Sequence, residues 1–225
     1  MKGTAQLRKI NLLTPGNLGK LVVITGTPGA GKSTTAAAIA KLEQWTYYEA
    51  DGFCFGFNPY MSPNESQVDA RSDRPALIGP GMARRWEATQ SFFNQLLEDK
   101  KTTDRSPAIQ FYQLEAEDIK KERARVGGNW IVADAIFKRW ERDIIREVLD
   151  DVIFVVLEIS YDLVKDRLSG RERDKHLADW CLAQYCKFET AQIEEPRTLG
   201  FRIQEESTVE QNARAILDLI NKTNA

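Results

Sequence analysis

Eight consecutive residues constrain this 225-residue chain more than anything else in it: Gly26-Thr27-Pro28-Gly29-Ala30-Gly31-Lys32-Ser33. The string fits the phosphate-loop pattern, in which glycines let the backbone curl so that successive N–H groups converge on an anion. Its flanks suit that reading. Leu21-Val22-Val23-Ile24-Thr25 is a short β-rich apolar run, and the Ala-rich stretch Lys32–Gln44 that follows is a strong helix former. Strand, glycine turn and helix N-terminus in that order bring backbone donors and a helix dipole to one point. The candidate phosphate-binding set is Gly26, Thr27, Pro28, Gly29, Ala30, Gly31, Lys32, Ser33 and Thr34. Within it, Lys32 is the cation for the terminal phosphates and the Ser33 hydroxyl is a ligand for Mg²⁺.

The rest of the chain reads as alternating strands and helices. Further strands are expected at Thr46–Asp51, Trp130–Asp134, Val152–Leu157 and Gly200–Gln204, with a last amphipathic helix from about Thr208 to Asn221. This predicts an α/β three-layer fold, a five-stranded parallel sheet with helices on both faces. Asn58–Gly81, rich in Pro and Gly, reads as a long loop. Arg84–Arg125 reads as charged helix interrupted at Thr102–Pro107. One domain over 1–225 is expected, with a helical insert at about 84–128 and a basic lid at about 167–177.

Parallel sheets bind ligands beyond the carboxyl ends of their strands, and two acids fall there. Asp134 is expected to support Mg²⁺ with Ser33. Asp51, two residues after Glu49, is the candidate base for an acceptor hydroxyl. Two groups of cations follow. Arg139 and Arg142, beside Lys138, are expected to reach an anionic acceptor or the transferring phosphoryl. Arg167 and Arg171, with Arg173 and His176, are expected to close over a triphosphate. With ATP as donor and Mg²⁺ as cofactor, Lys32, Asp51, Arg139, Arg142, Arg167 and Arg171 form the candidate catalytic set.

Other classes are excluded by what is missing. Thirty-one Lys and Arg against 33 Asp and Glu leave a formal net charge of −2, which argues against a general nucleic-acid binder. Three cysteines without a Cys-x-x-Cys pair, and a single His, give no zinc framework and no disulfide framework. The longest apolar stretch, Val152–Leu157, is far short of a membrane span of ~20 residues, so no membrane partner and a cytoplasmic location are expected. The only Asn-Lys pair, Asn221-Lys222, lacks the Asp of a guanine-reading motif. Leu168-Ser169-Gly170 continues with Arg171-Glu172 and follows the acidic strand, so it is not the signature of an ABC ATPase.

At this point the residues resemble the gluconate-kinase-like branch of the P-loop small-molecule and nucleoside monophosphate kinases. The resemblance runs from about Leu21 to Ile220, with the 84–128 stretch outside it. Lys138-Arg139-Trp140-Glu141-Arg142-Asp143-Ile144-Ile145-Arg146 is similar to the basic block after that family's third strand. Arg167 through His176 is similar to its lid, and Phe188-Glu189-Thr190 with Glu194-Glu195-Pro196 to a later block. The acceptor side departs: Asp51-Gly52-Phe53-Cys54 has aromatic neighbours where the family has Asp and His, and Asp73-Arg74-Pro75 matches only in part. The resemblance implies ATP-dependent phosphorylation of a small-molecule acceptor. The loop string is equally similar to adenylate-kinase-type enzymes, so a nucleotide acceptor stays open. A non-catalytic nucleotide-binding module is a third reading. The oligomeric state stays open too, with homodimerisation through 84–128 as one outcome.

Overall fold

The computed structural model describes residues 18–50, 80–97, 103–170 and 178–223. Five strands form one sheet: β1 (Leu18–Gly26), β2 (Thr46–Glu49), β3 (Gly128–Ala133), β4 (Ile153–Glu158) and β5 (Thr198–Arg202). Their order is β2-β3-β1-β4-β5 and every pairing is parallel. The helices are α1 (Lys32–Glu43), α2 (Pro80–Leu97), α3 (Ser106–Val126), α4 (Arg139–Val148), α5 (Tyr161–Ser169), α6 (Ala178–Tyr185) and α7 (Val209–Lys222). The expected α/β sheet with helices on both faces is what the chain forms.

β1 lies at the centre because it has no polar side to expose: Leu21 to Ile24 are all at most 2% accessible. The two-residue period of a strand divides those side chains between two cores. Val22 and Ile24 join Ile131, Val155 and Leu157 on the face covered by α1, α5, α6 and α7. Leu21 and Val23 join Trp130, Val132 and Phe154 on the face covered by α2, α3 and α4. Continuous apolar runs buried on both faces are the signature of a parallel sheet.

The stretch expected to be an insert is a layer of the core. Phe92 of α2 stacks on Phe111 of α3 at 4.8 Å, and Tyr112, Ala116 and Ile119 continue the buried stripe down α3. Positions 108, 112, 116 and 119 recur at helical spacing, which outweighs the charges between them. Those charges occupy the outer face. Residues 103–105, inside the expected interruption, are not helical, and α3 begins at Ser106.

Strand boundaries differ by one to three residues from those expected: β1 begins at Leu18, β3 at Gly128, and β4 runs from Ile153 to Glu158. β2 ends at Glu49, β3 at Ala133, and β5 begins at Thr198 rather than Gly200. β1 and β3 are neighbours, yet the helices that follow them, α1 and α4, lie on opposite faces. The carboxyl ends of β1 and β3 therefore border the crevice where ligands of such sheets bind.

Candidate active site

The glycine string does as its residues require. Ala30 N–H donates to the Thr27 carbonyl at 3.1 Å, closing the turn, and Gly29 and Gly31 take φ of 86° and 92°. Those angles are costly for any residue with a Cβ. Gly26 is needed for space: a Cβ there would lie 3.1 Å from the Leu157 carbonyl oxygen. The loop delivers the chain into α1, whose N-cap is Gly31 and has no side-chain cap. The N-termini of α5 and α7 are capped by the hydroxyls of Ser160 and Thr208. α1 thus keeps its first-turn N–H groups and its dipole for an outside anion.

Lys32 is buried, with Nζ 3.4 Å from the Thr27 carbonyl oxygen, so its ammonium lies against the loop. Arg167 reaches the same loop from α5. Its Nη1 donates to the carbonyls of Gly29 at 3.3 Å and Ala30 at 3.2 Å. A pocket of about 300 Å³ opens here, lined by Gly29, Gly31, Thr34, Arg167, Ile203, Val209 and Asn212 among others.

Asp134 stands at the other side of the crevice. Its backbone N–H donates to the Ile24 carbonyl at 3.1 Å, which seats it at the end of β1 just before the loop. Its Oδ1 accepts from Ala135 N–H at 2.7 Å, and the residue is 4% exposed. Thr25 fixes Ile136, two residues after Asp134: the Ile136 N–H donates to Oγ1 at 3.0 Å, and the hydroxyl donates to the Ile136 carbonyl at 3.2 Å. Ser33 lies in the first turn of α1 and is half-buried. A hydroxyl and a carboxylate are hard oxygen donors of the kind Mg²⁺ takes alongside phosphate oxygens and water, so this donor set fits that ion. Among the described residues no cluster of three or more His, Cys, Asp and Glu could hold a metal by itself.

The segment after Asp134 is held by a residue the sequence reading passed over. Oε2 of Glu141 accepts from the N–H groups of Phe137 and Lys138, each at 2.8 Å, and from the Tyr112 hydroxyl at 3.4 Å. Burial pushes its carboxyl up to about 7, against the downward pull of those hydrogen bonds and of Lys138. At N3 of α4 it accepts from the N-cap N–H of Lys138, one half of a capping box; lysine has no acceptor for the other half, so the sequence lacks the full signature.

The two cations of the block separate. Arg142 was expected to reach acceptor or phosphoryl, and its geometry corrects that. It is fully buried, its Nε and Nη2 lie 2.6 and 2.9 Å from the two oxygens of Glu195, and Nη1 donates to the Glu189 carbonyl. Every face of the guanidinium is used by the scaffold. Burial alone would raise Glu195, but Arg142 and Arg146 hold it down at about 2. Arg139 is half-buried; its backbone N–H donates to Glu189, while its side chain makes no hydrogen bond or ion pair among the described residues. Glu49, at the end of β2, is buried, accepts from the Tyr47 hydroxyl and pairs in register with Ala133, one residue before Asp134. Asp51, Arg171, Arg173 and His176 lie outside the described residues.

No family model matches the sequence, and no curated protein matches it. Solved structures do match. A sugar kinase from Janibacter sp. HTCC2649 shares 22% identity over 90% of this chain and 94% of its own, with a TM-score of 0.61. A gluconokinase from Sinorhizobium meliloti 1021 shares 19% over 93% and 98%, TM-score 0.54. The APS kinase CysC of Mycobacterium tuberculosis, solved with AMPPNP and APS, shares 15% over 92% and 99%, TM-score 0.52. The fold of this chain is that of the P-loop small-molecule kinases, with gluconokinase among its structural neighbours.

Proposed function

We propose that the chain is an ATP-dependent phosphotransferase whose acceptor is a small polar molecule bearing a hydroxyl, similar to gluconate kinases. The observation that carries this reading is the uncapped N-terminus of α1, with Lys32 and Arg167 on its loop and Asp134 seated beside it at the end of β1. A site of that kind stabilises charge on a transferring phosphoryl group by position and electrostatics. The sugar kinase and gluconokinase likenesses, and the AMPPNP bound by the similar APS kinase, support it.

The loop N–H groups and Lys32 would hold the phosphate chain, and Ser33 and Asp134 would hold Mg²⁺, which supplies charge neutralisation between the phosphates when bound. Arg139 and Arg167 would bear on the acceptor and the triphosphate. The role of Asp51 as base, and of Arg171 in the lid, rests on sequence position alone. No described helix is long and apolar enough to cross a membrane.

The test is ADP release from Mg-ATP against a panel of sugar acids, polyols, nucleotides and amino alcohols. We expect one hydroxyl acceptor to stimulate ADP release. Lys32→Ala should then lower kcat/KM by about 10³–10⁵-fold, the scale of a cation on the transferring phosphoryl, with an unchanged melting temperature. Tight ATP binding with no ADP formed across the whole panel overturns the reading.

A further inference from the structure

Asn212 is a buried polar side chain that the fold leaves unused. It is the fourth residue of α7, a helix that packs on α1, and is 7% exposed next to the buried Ala213. Among the described residues only its backbone is engaged, the N–H donating to the Thr208 carbonyl at 3.1 Å, and its side-chain amide makes no hydrogen bond. Its amide atoms are not among the sealed polar atoms without a partner, so what exposure the residue keeps leaves the amide within reach of water. The amide lines the pocket that begins at the phosphate loop.

The walls of that pocket say which end of a ligand Asn212 meets. Gly29, Ala30 and Gly31 form the anion end. The same pocket is lined by two apolar side chains, Ile203 and Val209, and by the planar guanidinium of Arg167, surfaces suited to the faces of a flat ring. Thr34 is exposed and Ser207 half-buried, so water can satisfy their hydroxyls. The amide of Asn212 is the sheltered polar group at the ring edge. An amide presents one acceptor and one donor side by side, which matches the N6 amino group and N7 of adenine. Guanine offers two acceptors at the same positions and leaves the amide oxygen facing O6.

We infer that Asn212 is a specificity-determining residue that reads the adenine edge of the bound nucleotide and rejects guanine. This rests on the kinase reading above. The test is calorimetric binding of ATP, GTP, 7-deaza-ATP and inorganic tripolyphosphate to the full chain and to Asn212→Leu and Asn212→Asp. The wild type should bind ATP about 10–100-fold tighter than GTP and about tenfold tighter than 7-deaza-ATP. Asn212→Leu should bring both ratios to within about twofold and leave tripolyphosphate unchanged. Asn212→Asp keeps an acceptor for N6 and loses the donor to N7, so ATP and 7-deaza-ATP should become equal; it carries the test if the Leu variant does not fold. Preserved ratios in the variants, or equal weakening of nucleotides and tripolyphosphate, overturn the role of Asn212 while the phosphate site stands. A wild type that binds neither ATP nor tripolyphosphate overturns the kinase reading and this one with it.

Discussion

Arg142 in α4 and Arg167 in α5 each belong to a helix that follows a strand of the same sheet, and they end in opposite situations. Arg142 is sealed, with its donors distributed over both oxygens of Glu195 and the Glu189 carbonyl. Arg167 lays one nitrogen on the neutral carbonyls of Gly29 and Ala30 and lines a pocket. Burial with a matched carboxylate makes an arginine a structural pin, because removing either partner strands a charge away from water. A half-buried arginine at a pocket wall beside the glycine loop stands where an incoming anion would bind. The difference between a scaffold cation and a site cation is therefore set by what surrounds the guanidinium. It is not set by the residue type or by its distance in sequence from a motif.

The largest change expected from this contrast is in stability. Arg142→Met should cost about 3–5 kcal/mol in urea unfolding, since Glu195 would stay buried with only Arg146 on it. ATP binding by the remaining folded protein should be unchanged. A cost below about 1 kcal/mol would place Arg142 among surface ion pairs and remove the contrast.

Glu141 supplies the next test, on the sealed side. Its folded carboxyl titrates near 7, above its ordinary value of 4.5, so the folded state holds a proton that the unfolded state has released between those values. The stability this contributes is fully present below about pH 4.5 and is lost as pH rises through 7. Glu141→Gln keeps an acceptor for Phe137 and Lys138 and cannot titrate. The stability of the wild type relative to this variant should fall by about 3 kcal/mol from pH 4.5 to 7.5. Parallel pH–stability curves for the two proteins would show that burial does not govern this carboxyl.

The smallest effect belongs to the open side. Arg167→Met should leave the melting temperature in place and weaken ATP binding about tenfold, the scale of one charge-assisted hydrogen bond. A drop in melting temperature with intact binding would make Arg167 another pin.

The phosphate loop could be read from the sequence because its chemistry is local. Eight consecutive residues carry the turn, the positive-φ glycines and the helix start, and nothing distant has to be known. Asp134 was legible for a related reason: an acid after Trp130-Ile131-Val132-Ala133 must fall at the carboxyl end of a buried strand. Glu141, Tyr112, Glu195 and Asn212 were not legible in their roles. The Arg142–Glu195 pair spans 53 residues and Tyr112–Glu141 spans 29, and no periodicity connects such partners. That the expected insert at 84–128 supplies a core layer was not legible, because its charges are conspicuous in sequence while the stripe Ala108, Tyr112, Ala116, Ile119 shows only when projected on a helix.

By itself, then, the sequence determined a parallel α/β sheet, a phosphate-binding turn and the strand-end acid beside it. Each follows from backbone geometry over a few adjacent residues. Only the tertiary structure decided which cation lines the pocket and which is sealed in the scaffold, that α2 and α3 form a core layer, and that α7 brings Asn212 to the pocket. Those outcomes depend on the strand order and on which helix covers which face. Burial and hydrogen-bond partnership are properties of that packing, and they convert identical side chains into either scaffold or site.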